Sequence, residues 1–466
     1  MFEIVDPIMQ LAPIANALAD IKCRHLTSFH ALPLSHGGSV QNSMFQRSYR
    51  SLFGETFLDL EQTISGEHFD SFFFPKHTIR RGEELAAELF GSEGILFVTT
   101  GTTTSNQIAL DAFHLKGGHA LVDRQCHQSI HFGLDSTACA MDYIQPKEVC
   151  ETTGRCFWDL DAWVDQILAH EKSHGPYDLI VLNGHSYDGL VYDIPFLIGH
   201  LLEQGAASRN FFVDEAWGIG NYFLPELANG TAMRVESIQK LHPDLTVVST
   251  QSAHKSMSCL RQASMIHFRG RHIGANLVNS RFFLHTTSPS YPILASLDLG
   301  RAQLKIEGQK LFSNAAALAA RFAAEIESEP ALSSYFVNLP NDQQAGAQHV
   351  RLDPTKVSLN VSRLKVAAQD VKRLLYVRYG IYVNRITENS LLFNFHIGLA
   401  GQAVDNLLSA LKDIAACTKR SDEFRRGFII SYPPGVPLAV PGESLTPGIH
   451  QQIQANQNIG AMVVSV

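Results

Sequence analysis

The segment Ser249-Thr250-Gln251-Ser252-Ala253-His254-Lys255 sets a lysine beside a hydroxyl and an imidazole. A lysine that attacks a carbonyl must reach its neutral form near neutral pH. Nearby donors must then hold any anionic group the carbonyl compound carries. Lys255, Ser252 and His254 supply that set, although a polar loop with an exposed lysine would use the same residue types. Upstream, Phe212-Val213-Asp214-Glu215-Ala216-Trp217 carries an aspartate that the apolar run before it places at a strand end. A carboxylate there can keep a ring nitrogen protonated, which turns a heteroaromatic ring into an electron sink. A solvated strand-end aspartate is the plainer alternative. Ala216 is small enough for a ring to lie against it, and Glu215 suits a structural acid.

Two further segments fit a phosphate-bearing ring. Gly101-Thr102-Thr103-Thr104-Ser105-Asn106 is a Gly- and Thr-rich turn that opens a helix. Such a turn offers free N–H groups and hydroxyls to an anion. It lacks the lysine of a P-loop and the glycine spacing of a dinucleotide fingerprint. His127, in Asp123-Arg124-Gln125-Cys126-His127, follows an apolar run and is placed to stack on a ring; a structural hydrogen bond is the competing reading. His170-Glu171-Lys172-Ser173-His174 matches the H-E-x-x-H zinc pattern. Gly175-Pro176 ends the helix at once and the flanks are polar, so no metal site is expected there. His127 and His131 lie one turn apart without an apparent third ligand.

The elements that must position these residues alternate. A helix over Arg81–Phe90 stops at Gly91, a usual C-terminal cap. Short apolar runs follow at 95–98, 120–122, 179–182, 211–213 and 245–248, with helical stretches between most of them. Such alternation predicts an α/β fold: a mostly parallel sheet with helices on both faces, whose ligands bind at the carboxyl ends of the strands. Asp214 and Ser252–Lys255 fall at such ends. A long Ala- and Leu-rich helix over Leu299–Ala324 leads to a smaller α+β C-terminal domain, with strands expected at Lys356–Val361, Ile381–Ile386 and Leu391–His396. The prolines of Ser431–Pro437 make that stretch an extended turn. The division expected is an N-terminal arm over 1–60, a large domain over 61–300, and a small domain over 301–466 that includes the linking helix.

Bulk properties exclude other classes. With 466 residues, 45% hydrophobic and 18% charged, the chain is long enough for a sizeable core. A net charge of −8 and the lack of a Lys/Arg run argue against a nucleic-acid partner. No apolar stretch of about 18 residues marks a membrane span. The start lacks a basic region followed by an apolar core, and seven scattered cysteines form no C-x-x-C pair. A reducing cytoplasm is the expected location.

Taken together the segments resemble the bacterial ornithine/lysine/arginine decarboxylase family, which has the type I pyridoxal-phosphate transferase fold. The likeness runs through Ser252-Ala253-His254-Lys255, Gln262-Ala263-Ser264-Met265-Ile266-His267 and Ser186-Tyr187-Asp188-Gly189. It continues at His285-Thr286-Thr287-Ser288-Pro289-Ser290-Tyr291 and at Tyr432-Pro433-Pro434-Gly435-Val436-Pro437 with Pro441-Gly442-Glu443. It covers residues 30 to 460 and corresponds to a short form without the N-terminal regulatory-type domain of the large members. The resemblance implies that Lys255 holds pyridoxal 5'-phosphate as a Schiff base, Asp214 binds the pyridine nitrogen and His127 stacks on the ring. Thr102, Thr103, Ser252 and His254 would hold the phosphate. Ala216 and Trp217 would border the ring, Trp217 where some members have histidine. Thr287 and Ser288 would reach a neighbouring subunit's cofactor in a homodimer.

The implied activity is decarboxylation of an amino acid, most simply lysine, ornithine or arginine, to the amine and carbon dioxide. That is a carbon–carbon lyase reaction of polyamine biosynthesis. The same electron sink serves transamination, aldol-type cleavage or oxidation at Cα, and a cofactor-free partner subunit is a third class that the retained Lys255 and Asp214 oppose. Three segments depart from the family pattern, and the glutamate lost from the second bears on the side chain accepted. Pro33-Leu34-Ser35-His36 replaces a Pro-Gly-His motif, Val383-Asn384-Arg385-Ile386-Thr387 replaces Val-Glu-Lys-Thr, and Arg261 stands where a small hydroxyl residue is common.

Overall fold

The computed structural model describes residues 7–24, 29–62, 69–146, 148–150, 155–157, 159–339, 349–364, 366–383, 385–421, 429–432, 436–439, 447–458 and 462–465. The described residues within Met1–Ala317, Asn341–Lys356 and Phe395–Gly398 form one compact unit, and those within Leu318–Pro340, Val357–Asn394 and Leu399–Val466 form a second.

The first unit is built on seven strands: Gly94–Val98 (β1), His119–Asp123 (β2), Ala140–Ile144 (β3), Leu179–Asn183 (β4), Asn210–Asp214 (β5), Thr246–Gln251 (β6) and Ser264–Arg269 (β7). Their order is β1-β7-β6-β5-β4-β2-β3. Every neighbouring pair from β6 to β3 is parallel, and only β7 runs against its neighbours β1 and β6. Side chains alternate between two buried clusters. Ile95, Phe97, Leu121, Ile180, Leu182, Phe211, Val213 and Val247 enter one face. Leu96, Val98, Ala120, Val122, Leu179, Val181, Phe212 and Val248 enter the other. A period of two with both faces apolar is what produces the unbroken apolar runs in the sequence.

Helices Pro13–Cys23 (α1), Thr78–Phe90 (α2), Leu160–His174 (α5) and Ile194–Glu203 (α6) cover the first face. Thr102–Ala112 (α3), Gln128–Ser136 (α4) and Ile273–Leu284 (α8) cover the second. The four-residue helix Ala253–Ser256 (α7) follows β6 directly. Helix α2 ends as expected at Gly91, whose φ of 70° is left-handed and free of strain for glycine. The long helix begins earlier and ends later than expected, at Tyr291–Ser328 (α9), because Pro292 suits a first helical turn. Helix α1 is fastened to it: the Asp298 carboxylate accepts the Ile14 and Ala15 N–H groups at 2.6 and 3.4 Å and pairs with Arg301 at 2.6 Å.

Two strands escape the apolar-run reading. β3 is the edge strand and its residues are mostly half-buried, so Ala140-Met141-Asp142-Tyr143 shows no apolar run. β7 carries Ser264 and the buried His267 among its apolar residues, which breaks the pattern.

The second unit holds a four-stranded sheet in the order Val337–Asn338, Lys356–Asn360, Ser390–Asn394, Arg385–Ile386. The strand expected over Ile381–Ile386 is only its last two residues, since 381–383 are not extended into a ladder and Asn384 lies outside the described residues. Residues Ile429–Tyr432 and Val436–Ala439 pair antiparallel with a register shift. The Pro433-Pro434-Gly435 turn and Pro441-Gly442-Glu443 lie outside the described residues.

Candidate active site

The carboxyl ends of β2, β5 and β6 carry His127, Asp214 and Ser252–Lys255, residues expected at the site from the sequence. β5 ends in Asp214, buried at 4% exposure. Its Oδ2 accepts the His127 N–H at 3.0 Å and its Oδ1 the Ala216 N–H at 3.1 Å. Two backbone donors, one just past its own strand and one from the turn after β2, therefore fix the carboxylate at the carboxyl edge of the sheet. β6 is the adjacent parallel strand, and the chain turns straight from Gln251 into α7 with Lys255 on its third residue. Lys255 is half-buried. Burial pushes its amine down from the ordinary lysine range, against the opposing pull of the Asp214 charge. Its Nζ lies 4.4 Å from the centre of the Trp217 indole.

A hydroxyl cradle forms at the start of α3. Gly101 precedes it with φ 86°, a conformation that side-chain-bearing residues rarely adopt. The Thr102 hydroxyl bonds to those of Ser252 and Ser264, and Ser105 bonds to Ser264 at 2.8 Å. The Thr100 hydroxyl is buried in the same turn without a protein partner among the described residues. Together with the outward N–H groups of a helix start, this is a donor set that suits a phosphate dianion. Thr103 is exposed at the second position of α3. His254 donates through Nδ1 to the Ala263 carbonyl at 3.0 Å, and burial lowers its pKa.

His127 caps α4, and its ring is exposed at the end of β2. A directed chain reaches it from β6. The Thr250 hydroxyl donates to Asn106 Oδ1 at 2.7 Å, Asn106 Nδ2 donates to the Ser129 hydroxyl at 2.9 Å, and that hydroxyl meets His127 Nδ1 at 2.8 Å. Nδ1 also accepts the Ser129 N–H at 3.2 Å. An Nδ1 that accepts leaves the ring proton on Nε2. Glu215, next to Asp214, turns the other way and takes the Ser249 and Tyr222 hydroxyls and the Ala232 N–H, as a structural acid does.

Thr287 and Ser288 do not join this group: both are exposed, in a loop anchored where His285 Nε2 and Thr99 meet at 3.1 Å. The structure adds Ser264, Asn106, Ser129 and Lys356, which the sequence reading did not single out for the site. The Lys356 ammonium donates to the Ser186 and Tyr187 carbonyls at 3.3 and 3.0 Å and lies 4.4 Å from the Trp217 ring centre. Burial lowers its pKa to about 8, while Asp353 and Asp188 pull it back up. The ladder of Val350–Leu352 against Leu190–Tyr192 returns this stretch to the Ser186-Tyr187-Asp188-Gly189 turn, an approach that no local spacing in the sequence marks.

A mostly parallel sheet with one antiparallel strand, a carboxylate ending one strand and a lysine just past the next, defines the type I fold of pyridoxal-phosphate enzymes. The chain belongs to the Orn/Lys/Arg decarboxylase family, whose major domain matches residues 12–402. Over 413 residues it is 27% identical to the constitutive lysine decarboxylase of Escherichia coli, covering 81% of this chain and 56% of that protein. It is 24% identical to the arginine decarboxylase of Bacillus subtilis, covering 93% of this chain and 91% of that one. The chain thus spans just over half the length of its Escherichia coli relative and most of the Bacillus one. Its fold is that of the Francisella novicida lysine decarboxylase (TM-score 0.76, 19% identity, 97% of this chain and 79% of that one). A Pseudomonas aeruginosa lysine decarboxylase superposes similarly (TM-score 0.74, 22% identity, 97% and 76%).

Proposed function

We propose that this chain decarboxylates an amino acid with a basic side chain, using pyridoxal 5'-phosphate held by Lys255. The observation that carries the reading is the pairing of a half-buried lysine of lowered pKa with a backbone-fixed carboxylate on the next strand. Membership of the decarboxylase family supports it.

The donor set suits the cofactor. Thr102, Ser252, His254 and the first turn of α3, including Thr103, would take the phosphate, Asp214 the ring nitrogen, and His127, Ala216 and Trp217 would border the ring. When bound, the group supplies an electron sink for the pair left behind as carbon dioxide departs. The chain's own residues do the rest. Lys255 Nζ, whose pKa burial lowers from the ordinary lysine range, gives a nucleophilic amine and afterwards a proton carrier. Asp214 is held in place by the His127 and Ala216 N–H groups, aimed where the ring nitrogen would lie. His127 presents Nε2–H outward and closes one side of the site against water.

A homodimer fits the surface. Phe282, Phe283 and Leu284 are exposed just before Thr287 and Ser288, and Phe74 joins them at 5.4 Å from Phe282. An apolar patch of this kind is what a partner covers, and it would bring Thr287 and Ser288 to the neighbouring site. None of the seven cysteines forms a disulfide, which suits a reducing cytoplasm, and no helix among the described residues is long and apolar enough to cross a membrane.

The test is carbon dioxide release from the purified protein with lysine, ornithine, arginine and neutral amino acids. Release from a basic substrate is expected, with a yellow protein that Lys255→Ala renders colourless. A Lys255→Ala protein that still bound the cofactor covalently would remove the assignment. Amino-group transfer without carbon dioxide would remove the reaction but keep the site.

A further inference from the structure

The H-E-x-x-H stretch set aside in the sequence has a second life in the fold. Glu171, the residue that would act as base in a zinc hydrolase, is taken up elsewhere: its carboxylate accepts the Ala207 and Ser208 N–H groups at 2.7 and 2.9 Å and the Ser208 hydroxyl at 2.6 Å. His170 instead faces the sheet. Its Nδ1 lies 3.5 Å from Asp142 Oδ2, and His119 Nε2 lies 3.1 Å from the same oxygen. All three ligand atoms fall within 4.8 Å of one another.

Three elements converge here. His119 opens β2, Asp142 lies on the parallel edge strand β3, and His170 projects from α5. The ladder pairs His119 with Ala140 and Leu121 with Asp142. His119 and Asp142 are therefore diagonal neighbours on one face of the sheet. The His170 ring is held by stacking on Tyr177 at 3.8 Å and 11° and meets the edge of His119 at 4.5 Å. The Tyr177 hydroxyl donates to Asp142 Oδ2 at 2.7 Å and so orients the carboxylate.

We infer that His119, Asp142 and His170 form a binding site for a divalent transition ion of the zinc type, at the opposite end of the sheet from Lys255. The donor set of two imidazoles and a carboxylate is the borderline class that zinc prefers. Metal–ligand distances of about 2.0–2.1 Å place tetrahedral ligand atoms about 3.3 Å apart; the two contacts to Asp142 already match that edge, and the third closes with a small imidazole shift. Tyr177 is the outer hydrogen bond that such ligands carry. His119 and Asp142 are 32% and 42% exposed, which leaves the fourth position to water. With Glu171 engaged and the site remote from Lys255, the ion clips the edge strand to α5 and takes no part in turnover.

The experiment uses the full chain with its cofactor, stripped by a chelator and titrated with Zn²⁺ alone against a chromophoric competitor. One equivalent binding at low-micromolar Kd or tighter is expected, with a thermal midpoint that rises on addition. His119→Gln, at the more exposed histidine, and His170→Ala each weaken binding at least tenfold and abolish the rise, with turnover in chelator unchanged. Failure to bind Zn²⁺ below 100 µM, on the order of a weak surface site, overturns the inference. So does an unchanged Kd and thermal rise in His119→Gln. If His170→Ala does not fold, His119→Gln with Asp142→Asn decides alone.

Discussion

Asp214 and Lys255 were legible because each ends or follows an apolar run, and one-dimensional pattern is enough to place them at adjacent strand ends. Ser264, Asn106 and Ser129 were not. Asn106 and Ser264 meet partners more than a hundred residues away, as in the bond of Thr250 to Asn106 across 144 positions, and Ser129 joins them through Asn106. No spacing rule encodes that approach. The relay they form argues for a residue-scale prediction. Ser129→Ala removes the hydroxyl that meets His127 Nδ1 and leaves the Asn106 amide without its acceptor. The ring then keeps only the Ser129 N–H on Nδ1 and is oriented less firmly, and kcat should fall about tenfold, as for loss of one orienting hydrogen bond of about 1.4 kcal/mol. Cofactor retention, read from absorbance, should hold. A variant with unchanged kcat would show that the ring needs no such support.

At the scale of elements, the parallel core was legible and its antiparallel seam was not. β7 hides because Ser264 and His267 interrupt its apolar alternation, yet both side chains are buried: Ser264 serves the cradle and His267 lies against Phe90 and Tyr222 with Ser92 at 3.1 Å. Burial holds His267 neutral down to a pKa of about 3. The sign follows from linkage. Below pH 6.5 the unfolded chain binds a proton that the folded chain refuses, so this stability is complete above 6.5 and drains as pH falls toward 3. The loss is about 1.4 kcal/mol per pH unit. Between pH 6.5 and 5, His267→Gln should therefore lose about 2 kcal/mol less stability than the wild type, measured by urea unfolding at both values. Parallel losses in the two proteins would place the acid sensitivity elsewhere.

For the whole molecule, the expected division of the chain at 60 and 300 followed the succession of elements along the sequence, whereas compactness gathers distant stretches: Asn341–Lys356 and Phe395–Gly398 group with the first unit. That return brings Lys356 to Trp217, so a residue from the far end of the chain borders the site. The same scale governs assembly. Phe283 is 74% exposed beside Phe282, and a partner would bury both. Phe283→Glu should shift sedimentation to the monomer and cut turnover more than tenfold, because Thr287 and Ser288 then reach no second site; a charge desolvated at such a contact costs several kcal/mol. An active variant that sediments like the wild type would sink the shared-site proposal.

The indole of Trp217, with one amine 4.4 Å from its centre on Lys255 and another at the same distance on Lys356, is a built-in optical reporter. Nearby ammonium groups and a conjugated neighbour both drain excited-state energy from indole. If Lys255 holds the cofactor as proposed, converting its amine into a covalent link changes both influences at once, and ultraviolet emission then tracks loading of the site without any label. Trp163, buried at 1% exposure between helix and sheet, supplies a steady background.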